Sequence, residues 1–143
     1  MRMSSVLISV VILAATTATA AENSSASKSA AMSVRQLMLA MVKPTSDVVW
    51  AVPVKPPTTE DEWEVVVANA MVLAEAGSLL NSPNRALDRT TWITDAQAFR
   101  DSALRLAISA TERNVDKISD DGNALYDTCD ACHKKYMAAR NGR

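Results

Sequence analysis

Both cysteines and the single histidine of the 143-residue chain lie within five consecutive positions near its C-terminal end. The segment reads Cys129-Asp130-Ala131-Cys132-His133, which is a C-x-x-C-H pattern. Two thiols at this spacing, followed at once by an imidazole, are the attachment signature of c-type haem. The thiols would bind the edge of the porphyrin covalently, and His133 would be an axial ligand of the iron. The chain is therefore predicted to carry one covalent haem c.

Three alternatives to haem attachment have to be weighed for these residues. A thioredoxin-type C-x-x-C disulfide is expected in a β-α-β arrangement, which the sequence does not predict. A structural zinc site takes four nitrogen or sulfur ligands, whereas the chain has two cysteines and one histidine. A chance C-x-x-C-H is rare in a chain with so few cysteines. Haem attachment is the interpretation that the pattern favours.

The second axial ligand has to come from elsewhere, because the chain has only one histidine. A methionine thioether is a common partner of histidine in electron-transfer haems, and the chain has seven methionines. Met38 and Met41 share the apolar face of the first predicted helix, although methionines on such a face are more often ordinary core. The other five are less suited by position: Met1, Met3, Met32, Met71 and Met137. Met38 and Met41 are therefore the candidates for the sixth ligand.

Four amphipathic segments are predicted to position these residues. Apolar residues recur at helical spacing over 34–52, from Trp63 to Leu80, and from Trp92 to Ala110 on a helix that runs on towards Ile118. The fourth segment places Leu125, Cys129, Cys132, His133 and Tyr136 on one face. No segment is a convincing strand, and the connections are short to moderate. The prediction is an all-α fold, an antiparallel up-down-up-down four-helix bundle with covalently bound haem.

Local signals place the ends of the predicted helices. Pro44 should kink the first helix or mark a junction between two pieces, because it lacks a backbone N–H and clashes with the carbonyl four residues back. Thr59 and Glu62 form a capping box before the second helix. The fourth helix has three polar residues that could cap it, Ser119, Asp120 and Asp121.

The first 20 residues resemble a secretory signal peptide. An apolar run over 6–15 follows Arg2, and Ala18-Thr19-Ala20 is a small-residue cleavage site. The run is shorter than the roughly 20 residues of a spanning helix, so no stable membrane insertion is expected after cleavage. Residues 21–31 are predicted to be a flexible leader and residues 32–143 the bundle. The net charge of −1 gives no indication of nucleic-acid binding. A periplasmic location follows from export.

An exported four-helix chain with this motif on its last helix resembles the class II cytochromes c, the family of cytochrome c′ and cytochrome c-556. The resemblance covers nearly the whole mature chain and is carried by four stretches, of which only the last is a specific motif: VRQLM at 34–38, PTSDVVW at 44–50, LAEAGSLL at 73–80 and CDACHKKY at 129–136.

The resemblance implies roles for particular residues. Cys129 and Cys132 would hold the thioethers, and His133 the iron. Arg35 lies where the family often has an arginine facing a haem propionate; an ordinary solvated charge is the alternative. Met38 lies where cytochrome c-556 members supply a methionine ligand and gas-binding cytochromes c′ have an apolar residue. The chain departs from the usual ending C-x-x-C-H-x-x-Y-R, because Met137 stands in place of the arginine.

Two functions are consistent with these features. The first is a periplasmic carrier of single electrons with His/Met-ligated iron, and the presence of Met38 favours it. The alternative is a five-coordinate cytochrome c′-type protein that binds NO or CO. Catalysis is not expected, because the one histidine is already used as a ligand. The expected partners are redox proteins, which would meet a positive edge formed by Lys134, Lys135 and Arg140, and the resemblance implies pairing of two copies through the first two helices.

Overall fold

The computed structural model of the protein describes residues 31–137. Within this range it contains four helices and no strand: α1 over residues 34–51, α2 over Glu60–Leu80, α3 over Thr91–Thr111 and α4 over Val115–Tyr136. The prediction of an all-α chain with four helices is confirmed for these residues. The predicted signal peptide (1–20), nearly all of the predicted leader (21–31) and Arg140 lie outside the described residues.

The capping box predicted at the start of α2 is present. The Thr59 hydroxyl accepts the backbone N–H of Glu62 at 3.3 Å, and the Glu62 carboxylate accepts the N–H of Thr59 at 3.2 Å. The same carboxylate accepts the N–H of Thr58 at 2.6 Å. The hydrogen bonds that the carboxylate accepts, led by the one from the Thr58 backbone, hold the pKa of Glu62 below its usual value. The predicted start of α2 is therefore confirmed.

The predicted boundary between α3 and α4 is wrong. The third helix was expected to run towards Ile118, but it ends at Thr111, and α4 begins at Val115. Arg113 has a φ of 54°, in the left-handed region, which ends α3. The Asn114 side chain then accepts the N–H of Lys117 at 3.0 Å and caps α4. The proposed caps Ser119, Asp120 and Asp121 therefore lie inside α4.

The first helix is built from three segments. Val34–Leu37 is α-helical, Met38–Val42 is a π-helical turn, and Lys43–Ala51 is α-helical with Pro44 in its first turn. The expectation that Pro44 marks a junction between two pieces is confirmed. A π turn has i→i+5 hydrogen bonds and therefore widens the helix directly before the proline.

The hydrophobic core follows the predicted helical faces closely. The apolar face predicted for α3 is fully buried: Trp92, Ala96, Phe99, Ala103, Leu106, Ala107 and Ala110. On the face predicted for α2, Trp63 and Val67 are half-buried, and the other six residues are buried: Val66, Ala70, Leu73, Ala74, Gly77 and Leu80. The largest fully buried apolar side chains come from all four helices: Leu37, Val49, Leu73, Leu106, Ile118 and Leu125. By length and composition alone α2 could also span a membrane. Its apolar face instead forms part of this core.

The helices pack in a closed order, α1 against α2, α2 against α3, α3 against α4, and α4 back against α1. The contact between α1 and α4 includes a hydrogen bond from Trp50 Nε1 to the Gly122 carbonyl at 3.2 Å. The Trp50 ring also meets the Tyr126 ring edge to face, with centroids 6.1 Å apart. Glu60, the first residue of α2, forms an ion pair with Arg113 in the turn between α3 and α4.

Gly77 lies where α2 and α3 touch through their backbones. A Cβ added at Gly77 would lie 2.7 Å from Arg100 Cβ and 2.9 Å from Arg100 Cα. We expect Gly77→Ala to lower the free energy of unfolding by about 1–3 kcal/mol, because neither backbone can yield. Gly122→Ala is the matched control. A Cβ at Gly122 would meet only the Trp50 ring, at 3.3 Å. The higher helix propensity of alanine should offset the cost of that contact. Denaturant unfolding measures the stability of each variant. Equal free energies of unfolding for Gly77→Ala and Gly122→Ala would contradict the prediction.

Candidate haem site

A cavity of about 630 Å³ is lined by residues of all four helices. The walls are largely apolar and include the buried side chains of Leu80, Trp92 and Phe99. The first part of α1, the end of α2, the first part of α3 and the end of α4 all reach it. Its other apolar lining residues include Val34, Leu39, Val42, Leu87, Ala96 and Met137.

Five of the predicted site residues line this one cavity: Arg35, Met38, Cys129, Cys132 and His133. Cys129 and Cys132 are half-buried, unpaired thiols on α4, one helical turn apart. His133 and Arg35 are exposed at the edge, and Met38 is half-buried. Long-range packing thus brings α1 to the C-x-x-C-H segment of α4.

Met41, the alternative sixth ligand, is placed differently. It is half-buried and packs against the hydrophobic core, and it is not among the described residues that line the cavity. Met71 is also away from the cavity and is exposed on α2. Of the two methionines that the sequence favours, only Met38 has access to the space beside the cysteines.

Burial disfavours the thiolate form of both cysteines. Burial raises the pKa of Cys129 to about 11. Burial also raises the pKa of Cys132, and the nearby Asp95 carboxylate adds to the effect. Structural zinc sites need thiolates and a complete set of ligands. Residues 31–137 contain no cluster of three or more His, Cys, Asp or Glu side chains that could hold a metal ion.

Asp88 joins the end of α4 to the start of α3, and no sequence pattern had indicated this residue. One carboxylate oxygen accepts the backbone N–H groups of Thr91 at 2.6 Å and Trp92 at 3.0 Å. The other accepts the hydroxyl of Tyr136 at 2.5 Å. The bond from Tyr136, followed by that from Trp92, holds the pKa of Asp88 below its usual value. An aspartate just before a helix start is a known capping signal, but its bond to Tyr136 spans 48 residues of sequence.

Aromatic packing reinforces the same connection. The rings of Trp92 and Tyr136 meet edge to face with centroids 4.9 Å apart, and Trp92 Nε1 donates to the Leu80 carbonyl at 2.8 Å. Tyr136 and Trp92 both line the cavity. The wall on this side is therefore fixed by hydrogen bonds and ring contacts between three helices.

We expect Asp88→Asn to lower the thermal unfolding midpoint at pH 7, because the charged acceptor of the α3 cap and of the Tyr136 hydroxyl is lost. Since the pKa of Asp88 is lowered in the folded state, its stabilisation is fully present above the unfolded value of about 4. It is lost as the pH falls through the folded-state pKa. The midpoints of parent and variant should therefore converge at the most acidic pH at which both fold.

Tyr136→Phe provides the comparison variant for this prediction. It removes the hydroxyl donor but keeps the ring against Trp92, so it should lower the midpoint less than Asp88→Asn, which also weakens the cap of α3. If the unfolding midpoints of the parent and Asp88→Asn differ by the same amount from pH 7 to acidic pH, ionisation of Asp88 does not contribute to the stabilisation.

The lysines beside the motif are paired with carboxylates. Lys134 Nζ lies 2.5 Å from Asp130, and Lys135 Nζ lies 2.8 Å from Asp95. The hydrogen bond that Lys134 donates to the Asp130 carboxylate raises the pKa of Lys134. Each of these lysines therefore has a carboxylate beside it, whereas Arg140, the third cation of the expected positive edge, lies outside the described residues, so the positive edge stays a prediction.

Three large apolar side chains are exposed at the mouth of the cavity. Leu39, Leu87 and Met137 line the cavity and are 59%, 68% and 53% exposed, respectively. They come from α1, from the connection between α2 and α3, and from the residue after α4. Single exposed apolar residues are common on protein surfaces, but a group of them around an apolar cavity indicates a binding surface. An apolar group seated in the cavity would cover them.

No protein-family model, curated protein or solved structure matches this chain. The functional assignment therefore rests on the side chains that meet at the cavity and on the chemistry that they allow.

Proposed function

We propose that the protein is an exported c-type cytochrome that carries single electrons through one covalent haem c. The observation that supports this proposal is that Cys129, Cys132 and His133 of α4 line the same apolar cavity as Met38 of α1. These four side chains are the complete donor set of a His/Met-ligated c-type haem.

The cavity fits such a group in size and in chemistry. Its volume of about 630 Å³ lies within the range of about 300–1,000 Å³ that is typical of cofactor sites. The exposed Leu39, Leu87 and Met137 give the apolar surface that a porphyrin would cover. Both thiols are unpaired and are therefore able to form thioethers.

Haem would supply the one-electron chemistry, and each residue of the chain would have a separate part in holding it. Cys129 and Cys132 would bind it through their Sγ atoms. His133 would donate an imidazole nitrogen and Met38 a thioether sulfur to the metal. A thioether ligand stabilises the reduced state, and the apolar walls limit the access of water.

Arg35 is proposed to pair with a carboxylate of the bound group. It is exposed at the edge of the cavity, and none of the described ion pairs involves it. Lys135, by contrast, is already paired with Asp95, which lines the cavity. Arg35 is therefore the cation best suited to receive an acidic group at the edge of the cavity.

The finer topology proposed for the fold is an antiparallel up-down-up-down bundle. The first parts of α1 and α3 and the last parts of α2 and α4 reach the cavity. The opposite end is marked by the ion pair between Glu60, at the start of α2, and Arg113, after the end of α3. Both observations are expected when successive helices run in opposite directions.

A carrier is proposed rather than an enzyme, because the one histidine is assigned to the metal and the other two acid–base side chains of the lining are engaged elsewhere: Asp95 pairs with Lys135, and the Tyr136 hydroxyl donates to Asp88. The partners would be redox proteins of the periplasm, and a dimer through α1 and α2 is part of the same proposal.

Absorption spectra of the oxidised and reduced holoprotein test the function. A carrier with both axial positions filled should be low-spin in both states and should not bind CO when reduced. A high-spin ferric spectrum with ready CO binding to the reduced form would instead identify a gas-binding protein of the cytochrome c′ type. Haem that leaves the denatured protein in acidified organic solvent would contradict covalent attachment.

A further inference from the structure

The π turn of α1 lies directly before Pro44, and the two features are physically linked. In a continuous α-helix Pro44 would leave the Ala40 carbonyl without a donor, and its ring would clash with that carbonyl. Instead the backbone N–H of Lys43 donates to the Met38 carbonyl, five residues back. Thr45 Oγ1 donates to the carbonyls of Met41 at 2.6 Å and Val42 at 3.1 Å. The i→i+5 turn thus stands in place of the α-helical turn that the proline would disrupt.

The π turn shifts the register of the segment before it by one residue. With α-helical bonding the N–H of Lys43 would donate to Leu39, four residues back, rather than to Met38. Each residue of an α-helix accounts for about 100° of rotation. Without the π turn, Leu39 would therefore occupy the angular position about the axis that Met38 has now.

This offset decides which side chain is presented to the cavity. Met38 is half-buried in the cavity wall, whereas Leu39 lies at the mouth and is 59% exposed. Resting on the proposed ligation by Met38, we propose that Pro44 is a positioning residue: it fixes the π turn and so directs residue 38, and not residue 39, to the sixth position of the haem iron.

Four proteins test this assignment: the parent, Pro44→Ala, the exchange variant Met38→Leu with Leu39→Met, and the exchange combined with Pro44→Ala. Alanine restores the N–H at position 44 and allows α-helical bonding. The parent and the triple variant should be low-spin, with little CO binding. Pro44→Ala and the exchange variant should be high-spin and bind CO. The regain of ligation in the triple variant is a result that a merely structural proline would not give.

A control variant and two measurements distinguish a shift in the register of α1 from general destabilisation of the protein by the substitution. Pro56→Ala is the matched control, since Pro56 is exposed in the connector between α1 and α2 and should leave the spectrum unchanged. In the apoprotein, through-hydrogen-bond NMR couplings should connect the Lys43 N–H to Met38 in the parent and to Leu39 in Pro44→Ala. The unfolding midpoint of Pro44→Ala should be no lower than that of the parent.

A low-spin Pro44→Ala protein that does not bind CO would overturn the inference, and so would NMR couplings that still connect Lys43 to Met38. Should Pro44→Ala fail to fold, the exchange variant decides, because retained ligation with methionine at 39 would contradict the register argument. A parent that is itself high-spin would overturn the proposed function instead. The NMR couplings of the apoprotein would still show whether Pro44 determines that the Lys43 N–H bonds to Met38 rather than to Leu39.

Discussion

Replacing both Cys129 and Cys132 by serine should abolish covalent haem attachment completely. The two thiols are the only ones in the chain, and both line the cavity, so no other side chain can form a thioether. Each single replacement should leave at most one thioether and a lower yield of covalent haem. Retention of haem by the protein after denaturation in acidified organic solvent shows covalent attachment. Mass spectrometry of the protein and its peptides then gives the number of thioethers.

His133→Ala is the control for this prediction. It removes the metal ligand but neither thiol, so haem should remain covalently attached with an altered spectrum. A chain without residues 1–20 that is kept in the cytoplasm should lack covalent haem, since attachment is proposed to follow export. Covalent haem in the double serine variant would show that the C-x-x-C-H interpretation is wrong.

Replacing Met38 by alanine should convert low-spin to high-spin iron and create CO binding that the parent largely lacks. Met38 is the only one of the two favoured methionines that lines the cavity. Loss of a thioether ligand should also lower the reduction potential, because that ligand favours the reduced metal. Visible and electron paramagnetic resonance spectra together with a redox titration measure the three effects.

Met41→Ala is the matched control on the same helix. Met41 is half-buried against the core, so its truncation should cost about 2 kcal/mol of stability, at the lower end of the values for buried methionines, with no change in coordination. If Met41→Ala rather than Met38→Ala altered the spectrum, the assignment of the sixth ligand would be exchanged between the two residues.

Much of the fold could be predicted because its signals are local. The capping box of Thr59 and Glu62 and the apolar faces of α2 and α3 lie within a few residues of one another along the chain, and the structure confirms them. The boundary at Arg113 could not be predicted, because a left-handed conformation of a non-glycine residue has no clear sequence signal. Pro44 indicated a junction but did not determine that it would be a π turn.

The candidate site divides in the same way. The C-x-x-C-H segment was evident from spacing alone. Spacing did not distinguish Met38 from Met41, because residues three apart share a helix face, and only the family resemblance favoured Met38. Packing of α1 against its neighbours makes that distinction, since only Met38 reaches the cavity. The bond between Asp88 and Tyr136 joins residues that are remote in sequence, so no local pattern could reveal it.

The backbone contact at Gly77 and Arg100 makes the crossing of α2 and α3 a fulcrum. The helices cannot move closer there without a clash, so a rocking motion of the pair would turn about this point. Leu80, in the cavity wall, is about 4.5 Å along the α2 axis from Gly77, whereas Glu60 is about 25 Å away at a rise of 1.5 Å per residue. A small rocking of the helix pair would therefore displace the start of α2 about six times more than the wall of the cavity.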